Sequence, residues 1–277
     1  MMSSTDPVPA ITEADATGEI AELYADIRAT LGVPVVNLIW RYLATMPGAL
    51  AWTWSSVRPL YVSGQVANAA AHLRQSLVLP SQPAWPPAVL EAAGLDSDAR
   101  AGIGQVLASY DRSNAMNLVA LAALRAKANG EADATPVPIV DPGADIEGEL
   151  PVLRPITAMP TATADLVHLL NAMGDPDQRI LASMYRHLSH WPAFLALVWT
   201  RMAPLNADGS IDRMIADNLQ IARGISRQLA RQMPTPSADL APAVKAEAEA
   251  ALDLFILYAI GRMVPICRML SAAFPAR

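Results

Sequence analysis

The chain repeats itself, and this repeat limits what it can fold into more than any other feature. When the sequence is shifted by 145 residues, the segment 41–66 aligns without a gap on the segment 186–211, with nine identities in 26 positions. The identical pairs include an arginine, two prolines and a tryptophan: Arg41/Arg186, Pro47/Pro192, Pro59/Pro204 and Trp54/Trp199. A match of this kind at one fixed shift indicates an internal duplication.

A segment without helical periodicity separates the two copies. Residues 129–151 are rich in proline and in acidic residues, a composition typical of an extended, exposed linker. The sequence therefore predicts a first helical repeat over residues 7–128, a linker over 129–151, and a second helical repeat over 152–273. We expect the repeats to form an intrachain pseudo-dimer with the functional pocket between them, because pockets form preferentially at such interfaces.

The spacing of apolar residues predicts helices in both copies. Ile20, Leu23 and Ile27 follow the three- and four-residue steps of one helix face, as do Leu166 and Leu170 in the second copy. The sequence contains no series of alternating, β-branched segments bounded by turns. The predicted fold class is all-α, with about six helices in each repeat.

Composition excludes several functional classes. Hydrophobic residues make up 53% of the 277 residues and charged residues only 17%, so the chain can bury a large core and is not expected to be disordered. The net charge is −6 and no basic run occurs, which argues against nucleic-acid binding. A single cysteine, Cys267, excludes a disulfide or Cys-rich zinc site, and His187 and His190 lack the pattern of a metal-binding helix. We therefore expect no metal site.

No segment predicts export or membrane insertion. The N-terminus lacks the basic and apolar regions of a secretory signal. The most apolar stretch, residues 252–274, is interrupted by Asp253, Arg262 and Arg268, whereas a transmembrane helix needs about 20 predominantly apolar residues. We expect a cytoplasmic protein without a membrane partner, and the sequence leaves a homodimer open.

Polar residues within apolar helical segments are the first candidates for chemistry. Asp111, Asn114 and Asn117 recur every three residues, which places them on neighbouring positions of one helix face. A buried carboxylate and two amides can hold a water or a small anion; alternatively, Asp111 caps the helix that carries the asparagines. Asn37 also stands among apolar residues and either lines a pocket or bonds to a backbone carbonyl, because an unpartnered buried amide costs about 1–3 kcal/mol.

The repeated charged pair, Arg41 and Arg186, has two interpretations. A guanidinium can bind both oxygens of a substrate carboxylate. Because both copies carry the arginine and one pocket rarely needs two, we favour a structural ion pair or a cap at a helix end.

Three stretches give the sequence a family resemblance. They are VPVVNLIWRYLATMPGAL (33–50), SYDRSNAMNLVALAAL (109–124) and LASMYRHLSHWP (181–192). Together with the duplication and the linker, they resemble the group I 2-haloacid dehalogenases, which act on both D and L enantiomers. The resemblance covers nearly the whole chain. It implies a pseudo-dimeric helical fold with a deep knot, a small halocarboxylic acid as substrate, and no cofactor.

The resemblance also implies a mechanism and a set of site residues. In the family, an aspartate early in the second repeat activates a water, which displaces halide at the α-carbon with inversion and without a covalent ester. An asparagine that helps hold the water falls on Asn114, and the serine before the aspartate falls on Ser183. In the family, aromatic side chains form the wall on the halogen side of the site. The corresponding positions here are Val35 and Leu38, which are apolar but smaller.

The chain departs from the family at the base. The aspartate position is occupied by Met184, which cannot accept a proton, and general-base catalysis is worth about 10²–10⁴-fold. A functionally important glutamate falls on Ala67, whereas a nearby hydroxyl residue is retained in type as Ser63. The predicted substrate-binding residues are Ser183, Met184, Val35, Leu38, Asn37, Asn117 and Ser63.

Three functional hypotheses follow. In the first, the protein is a 2-haloacid dehalogenase-like hydrolase whose base has moved, with Asn114 and Asp111 as the catalytic residues. In the second, it keeps the fold and pocket but binds a small organic acid, or does other chemistry, without dehalogenation. In the third, it is a non-catalytic helical scaffold, which predicts an exposed apolar patch larger than a few hundred Å² and no cavity at Asn114 and Ser183.

Overall fold

The computed structural model describes residues 8–234 and 240–275, and these residues form helices and no strand. The predicted all-α class is confirmed. A 3₁₀ turn, Ile156–Ala158, precedes α7, and a π-helical turn, Ile256–Ile260, joins α11 to α12. The α-helices are α1 Gly18–Leu31, α2 Leu38–Leu43, α3 Ala49–Val62, α4 Gln65–Ser76, α5 Pro87–Ala92, α6 Ser97–Ala128, α7 Thr161–Asn171, α8 Ser183–Leu188, α9 Pro192–Ala207, α10 Ser210–Ala230, α11 Pro242–Phe255 and α12 Gly261–Ala273.

Helix α6 forms the centre of the fold. It is 32 residues long and packs against α4, α8, α10, α11 and α12. Between Ile103 and Ala126 nearly every side chain is buried. The helix begins at its N-cap residue Asp96, whose carboxylate accepts a hydrogen bond from the Ala99 amide at 2.8 Å. It runs without a break through Asp111, so the interpretation of Asp111 as a helix cap is wrong.

The segment between α6 and α7 follows the surface of the first half of the chain. The buried Arg112 of α6 pairs with Asp145 at 2.7 Å and also donates to backbone carbonyls of residues 142–144. The Ile146 amide donates to the Gly32 carbonyl at 2.9 Å. This segment is therefore extended and attached to the helices at defined points.

The apolar C-terminal helices are packed as core helices. The continuous helical stretch Pro242–Ala273 is long and apolar enough to cross a membrane, but 67% of its most apolar window is buried inside the structure. Burial at this level is typical of a helix that packs against the rest of its own chain.

A buried asparagine fixes the turn that leads into α8. The Asn171 side chain donates to the Ile180 carbonyl and accepts from the Ala182 amide, both at 3.0 Å. Arg262 of α12, which is 1% exposed, donates to the same side-chain oxygen at 3.0 Å. The position of the first turn of α8 therefore depends on contacts with both α7 and α12.

A tyrosine and a histidine join α6 to α8. The Tyr110 hydroxyl lies 2.8 Å from Nδ1 of His187. Burial, followed by the charge of Arg41, lowers the pKa of His187 from 6.5 to about 3. The imidazole is thus neutral at neutral pH, and its Nδ1 accepts the hydrogen bond that the Tyr110 hydroxyl donates.

We expect the Asn171→Ala substitution to lower the free energy of unfolding by about 1–3 kcal/mol, because it leaves buried backbone groups and Arg262 without a partner. Urea unfolding followed by circular dichroism measures this change. Leu169→Ala, at an exposed position of the same helix, is the matched control and should change stability by less than about 0.5 kcal/mol. Equal effects of the two substitutions would contradict this role of Asn171.

We expect His187 to make the protein sensitive to acid. The unfolded chain binds a proton near pH 6.5 whereas the folded chain binds it near pH 3, so stability present above pH 6.5 is lost as the pH falls between these values. The free energy of unfolding of a His187→Gln variant should therefore fall less steeply over this range than that of the wild type. Parallel pH profiles would show that His187 is not responsible.

Candidate functional site

A cavity of about 40 Å³ lies where α2, α6, α8 and the junction of α11 with α12 meet. We call it the inner cavity. Its size suits a few water molecules or a very small organic molecule. Its polar lining residues are Asn37, Tyr110, Asn114 and Ser183, and its apolar ones are Leu38, Ile39, Ile180, Leu181, Ala182, Met184, Phe255, Ala259, Ile260 and Met263.

Two short helices bring their first turns to this cavity. Leu38 and Ile39 begin α2, and Ser183 and Met184 begin α8. The bounds of these helices, Leu38–Leu43 and Ser183–Leu188, differ by the 145 residues of the sequence repeat. Residues from both halves of the chain therefore line one cavity.

A row of amide and sulfur atoms connects the elements around the cavity. Nδ2 of Asn37 donates to Oδ1 of Asn114 at 3.3 Å, and Nδ2 of Asn114 donates to Sγ of Cys267 at 3.4 Å. The Cys267 thiol in turn lies 3.3 Å from the thioether sulfur of Met184. Met184 thus packs against the group that holds the Asn114 amide.

Asn37 keeps one buried acceptor without a partner. Its Nδ2 also donates to Oγ of Ser113 at 3.0 Å, but its Oδ1 has no hydrogen-bond partner within residues 8–234 and 240–275. An unsatisfied buried acceptor costs about 1–3 kcal/mol. Because Asn37 lines the inner cavity, a water or hydroxyl group inside it would satisfy this oxygen.

The inner cavity lacks an acid–base group suited to neutral pH. Its lining, as far as the structure describes it, contains no Asp, Glu or His. Burial raises the pKa of Tyr110 well above its ordinary value, and this hydroxyl is bonded to His187. Met184 is 1% exposed and carries only a thioether. No group of three or more metal-ligating side chains comes together in the described part of the chain.

The π-helical turn contributes part of the cavity wall. Phe255, Ala259 and Ile260 lie at or beside this turn. A side chain at Gly261 would collide with the Ile256 carbonyl oxygen, and the Gly261 carbonyl accepts from Asn218 at 2.7 Å. Such turns within helices often occur at functional sites.

Five of the residues predicted for the site line the inner cavity. They are Asn37, Leu38, Asn114, Ser183 and Met184. The scaffold hypothesis requires no cavity at Asn114 and Ser183, and the structure places both residues on one.

Asp111, the candidate for a relocated base, does not line the inner cavity. One carboxylate oxygen lies 3.2 Å from Arg74 and 3.4 Å from Arg268, and the other is buried without a partner in the described chain. Burial raises the pKa of Asp111, and the two arginines oppose this shift. The three-residue spacing placed it near Asn114 along the helix, but its neighbours are the arginines of α4 and α12.

Three other predicted residues lie outside the inner cavity. Oδ1 of the fully buried Asn117 accepts from Trp40 at 3.2 Å and from Tyr61 at 2.9 Å, so it holds α2 and α3 against α6. Val35 lines a different cavity, described below. Ser63 ends α3 and donates to the Leu60 carbonyl at 3.2 Å.

Residues from α6 and the C-terminal helices were missed. Tyr110, Phe255 and Met263 line the inner cavity, and Cys267 bonds to Asn114 beside it. Tyr110 stands four residues before Asn114, a spacing that places both residues on one helix face, and this spacing could have identified Tyr110 as a site residue. The apolar residues of α11 and α12 carry no pattern that separates a cavity wall from core.

Arg41 lies directly behind Ser183. Its Nη2 donates to Oγ of Ser183 at 3.0 Å and its Nε donates to the Val36 carbonyl at 3.1 Å. No carboxylate within residues 8–234 and 240–275 forms an ion pair with Arg41, so the favoured interpretation as a structural ion pair is wrong for this residue.

Comparison with known proteins gives one informative sequence relative. No protein-family model matches the chain. A configuration-inverting 2-haloacid dehalogenase from Alcaligenes xylosoxydans xylosoxydans is 26% identical over 234 residues, which cover 80% of this chain and 77% of the relative.

Solved structures show the same fold. A D-2-haloacid dehalogenase mutant in complex with D-2-CPA has a TM-score of 0.75 and 18% identity, with 96% of each chain covered. A D-2-haloacid dehalogenase in complex with L-LA has a TM-score of 0.71 and 19% identity over the same share of both chains. The chain therefore has the all-α fold of the D-2-haloacid dehalogenases, and its sequence similarity supports a relationship to the 2-haloacid dehalogenase family.

Proposed function

We propose that the inner cavity binds a short 2-halocarboxylic acid and that the protein is a dehalogenase-like hydrolase with a greatly slowed hydrolytic step. The observation that carries this proposal is the composition of one cavity. Asn114 and Ser183 line it beside Met184, and its described lining contains no carboxylate. This arrangement matches a dehalogenase site that retains its water-holding amide and lacks its base.

The polar residues supply the contacts that such an acid needs. A carboxylate in an apolar cavity requires hydrogen-bond donors. Arg41 donates to Oγ of Ser183, and the guanidinium 3.0 Å behind the serine favours negative charge. The Ser183 side chain also bonds to Tyr110, so a bound carboxylate would take the serine's hydrogen in place of the Tyr110 oxygen. The apolar side chains of Leu38 and Phe255 suit the halogen and the alkyl group.

The hydrolytic step has defined requirements. The oxygen of a water forms a bond to the α-carbon, the carbon–halogen bond breaks with its electron pair, and the water loses a proton as halide leaves. The amide oxygens of Asn37 and Asn114 can orient the water but cannot take its proton at neutral pH. The thioether of Met184 cannot take it either, so the proton must pass to solvent.

The relationship of the two halves supports the same proposal. Helices α2 and α8, and likewise the first residues of α4 and α10, are separated by 145 residues, the shift of the sequence repeat. We infer from this spacing that the halves arose by duplication, with the site between them. The knotted path implied by the family resemblance and the repeat boundaries at residues 7–128 and 152–273 remain predictions.

We expect Met184→Asp to raise the rate of halide release from 2-chloropropionate by about 10²–10⁴-fold, because it restores a carboxylate beside Asn114. Halide release from the D and L enantiomers is measured for the purified wild type and variant. Met184→Asn is the matched control, since it has the shape of aspartate but cannot act as a base, and it should leave the slow rate unchanged.

Two outcomes would contradict this account. If the wild type already released halide as fast as Met184→Asp, another base would operate, and loss of turnover in Asp111→Asn would identify it as Asp111. If folded wild type and Met184→Asp both failed to release halide, the inner cavity would serve a different ligand. Circular dichroism shows whether each variant is folded.

A further inference from the structure

A second, larger cavity lies on the other side of Arg41. Its volume is about 590 Å³, within the range typical of pockets that bind whole small molecules. We call it the outer cavity. Its walls come from residues 8–10, 12–14, 34–36, 150–153 and 155, together with Arg41, Arg186 and His187. It shares no lining residue with the inner cavity.

Arg41 brings a buried positive charge to the wall of the outer cavity. The residue is only 4% exposed, and its hydrogen bonds run to the neutral acceptors Val36 and Ser183. The part of the chain that the structure describes offers its guanidinium no carboxylate partner. A buried charge without a counter-ion is strongly unfavourable, so this site favours an anion.

Three other titratable side chains line the outer cavity: Glu13, Arg186 and His187. Arg186 adds a second guanidinium to the wall. Burial is the largest cause that lowers the pKa of Arg41, and the positive charge of Arg186 lowers it further. Oε1 of Glu13 accepts from the Val36 amide at 3.0 Å and its other oxygen pairs with Arg28, but its negative charge also raises the pKa of Arg41 and so partly offsets the preference for an anion. His187 is neutral at neutral pH.

Apart from Thr12, the rest of the wall is aliphatic. It is built from valine, leucine, alanine and proline side chains and contains no Phe, Tyr or Trp: Val8, Pro9, Ala10, Ala14, Pro34, Val35, Val36, Leu150, Pro151, Val152, Leu153 and Pro155. Such a surface buries a hydrocarbon chain favourably.

We propose that the outer cavity binds an aliphatic monocarboxylate, with its carboxylate paired to Arg41 and its hydrocarbon chain against the aliphatic wall. This ligand is larger than any acid that the inner cavity can hold. The proposal does not rest on the proposed function, because it concerns a separate cavity and requires no reaction.

Isothermal titration calorimetry of the full-length wild type with octanoate and with octanamide tests the proposal. The two probes share one hydrocarbon chain and differ in charge. We expect octanoate to bind about 10- to 100-fold more tightly than octanamide, the difference expected for a charge-assisted hydrogen-bonded pair. Equal affinities, or no binding of octanoate, would overturn the proposal.

Variants then locate the binding site. Arg41→Gln keeps a donor near Ser183 but removes the charge, so octanoate should bind no more tightly than octanamide. If Arg41→Gln does not fold, Val35→Phe retains the arginine, reduces the space in the outer cavity and should also weaken octanoate binding. Asn114→Ala alters only the inner cavity and should leave octanoate affinity unchanged. Loss of octanoate affinity in Asn114→Ala would assign the ligand to the inner cavity and overturn the proposal.

Discussion

The burial of α6 on nearly all sides is the constraint on which the rest of the structure depends. A helix enclosed in this way can carry polar side chains only where neighbouring elements supply partners. Asn117 therefore accepts hydrogen bonds from Trp40 and Tyr61. Arg112 forms an ion pair with the extended segment between α6 and α7, and Asp111 is paired with arginines. Tyr110 and Asn114 are the polar residues of this helix that line the inner cavity, and Asn114 bonds to Asn37 on its wall and to Cys267 beside it. The central helix thus fixes both the packing of the two halves and the place where a ligand can bind.

Met184, in the first turn of α8, gives the inner cavity an uncharged wall. Met184 packs on the thiol of Cys267, whose pKa burial raises well above its ordinary value, so both sulfur groups are uncharged. A carboxylate at position 184 would lie beside these uncharged groups, so the cost of burying its charge would have to be offset by hydrogen-bond donors. The inner cavity consequently combines amide and hydroxyl groups with an apolar wall that carries no charge. Similarity to a family supports the fold and ligand class, whereas the residues present decide the chemistry.

Periodicity predicted the helical class, because it depends only on local spacing. Asn37 and Asn114 were predicted as site residues because they are polar residues within apolar segments, whereas Leu38, Ser183 and Met184 followed only from the family resemblance, which for Asn114 pointed to the same residue. The environment of Asp111 was not predictable, since helical spacing gives the face of a residue but not the arginines packed against that face. The position of Val35 in the outer rather than the inner cavity was not predicted for a related reason. The outer cavity is formed largely by irregular segments at residues 8–14 and 150–155, and these have no periodicity from which their positions can be read.

The central claim is that a short 2-halocarboxylic acid binds in the inner cavity beside Met184 without rapid loss of its halogen. The most direct test is a crystal of the wild-type protein soaked in 2-bromopropionate and measured at the bromine absorption edge. We expect an anomalous peak within the inner cavity, between Leu38 and Phe255, with the carboxylate of the same molecule at Ser183. Bromine bound only elsewhere, or an inner cavity without a halogen peak after soaking, would contradict it.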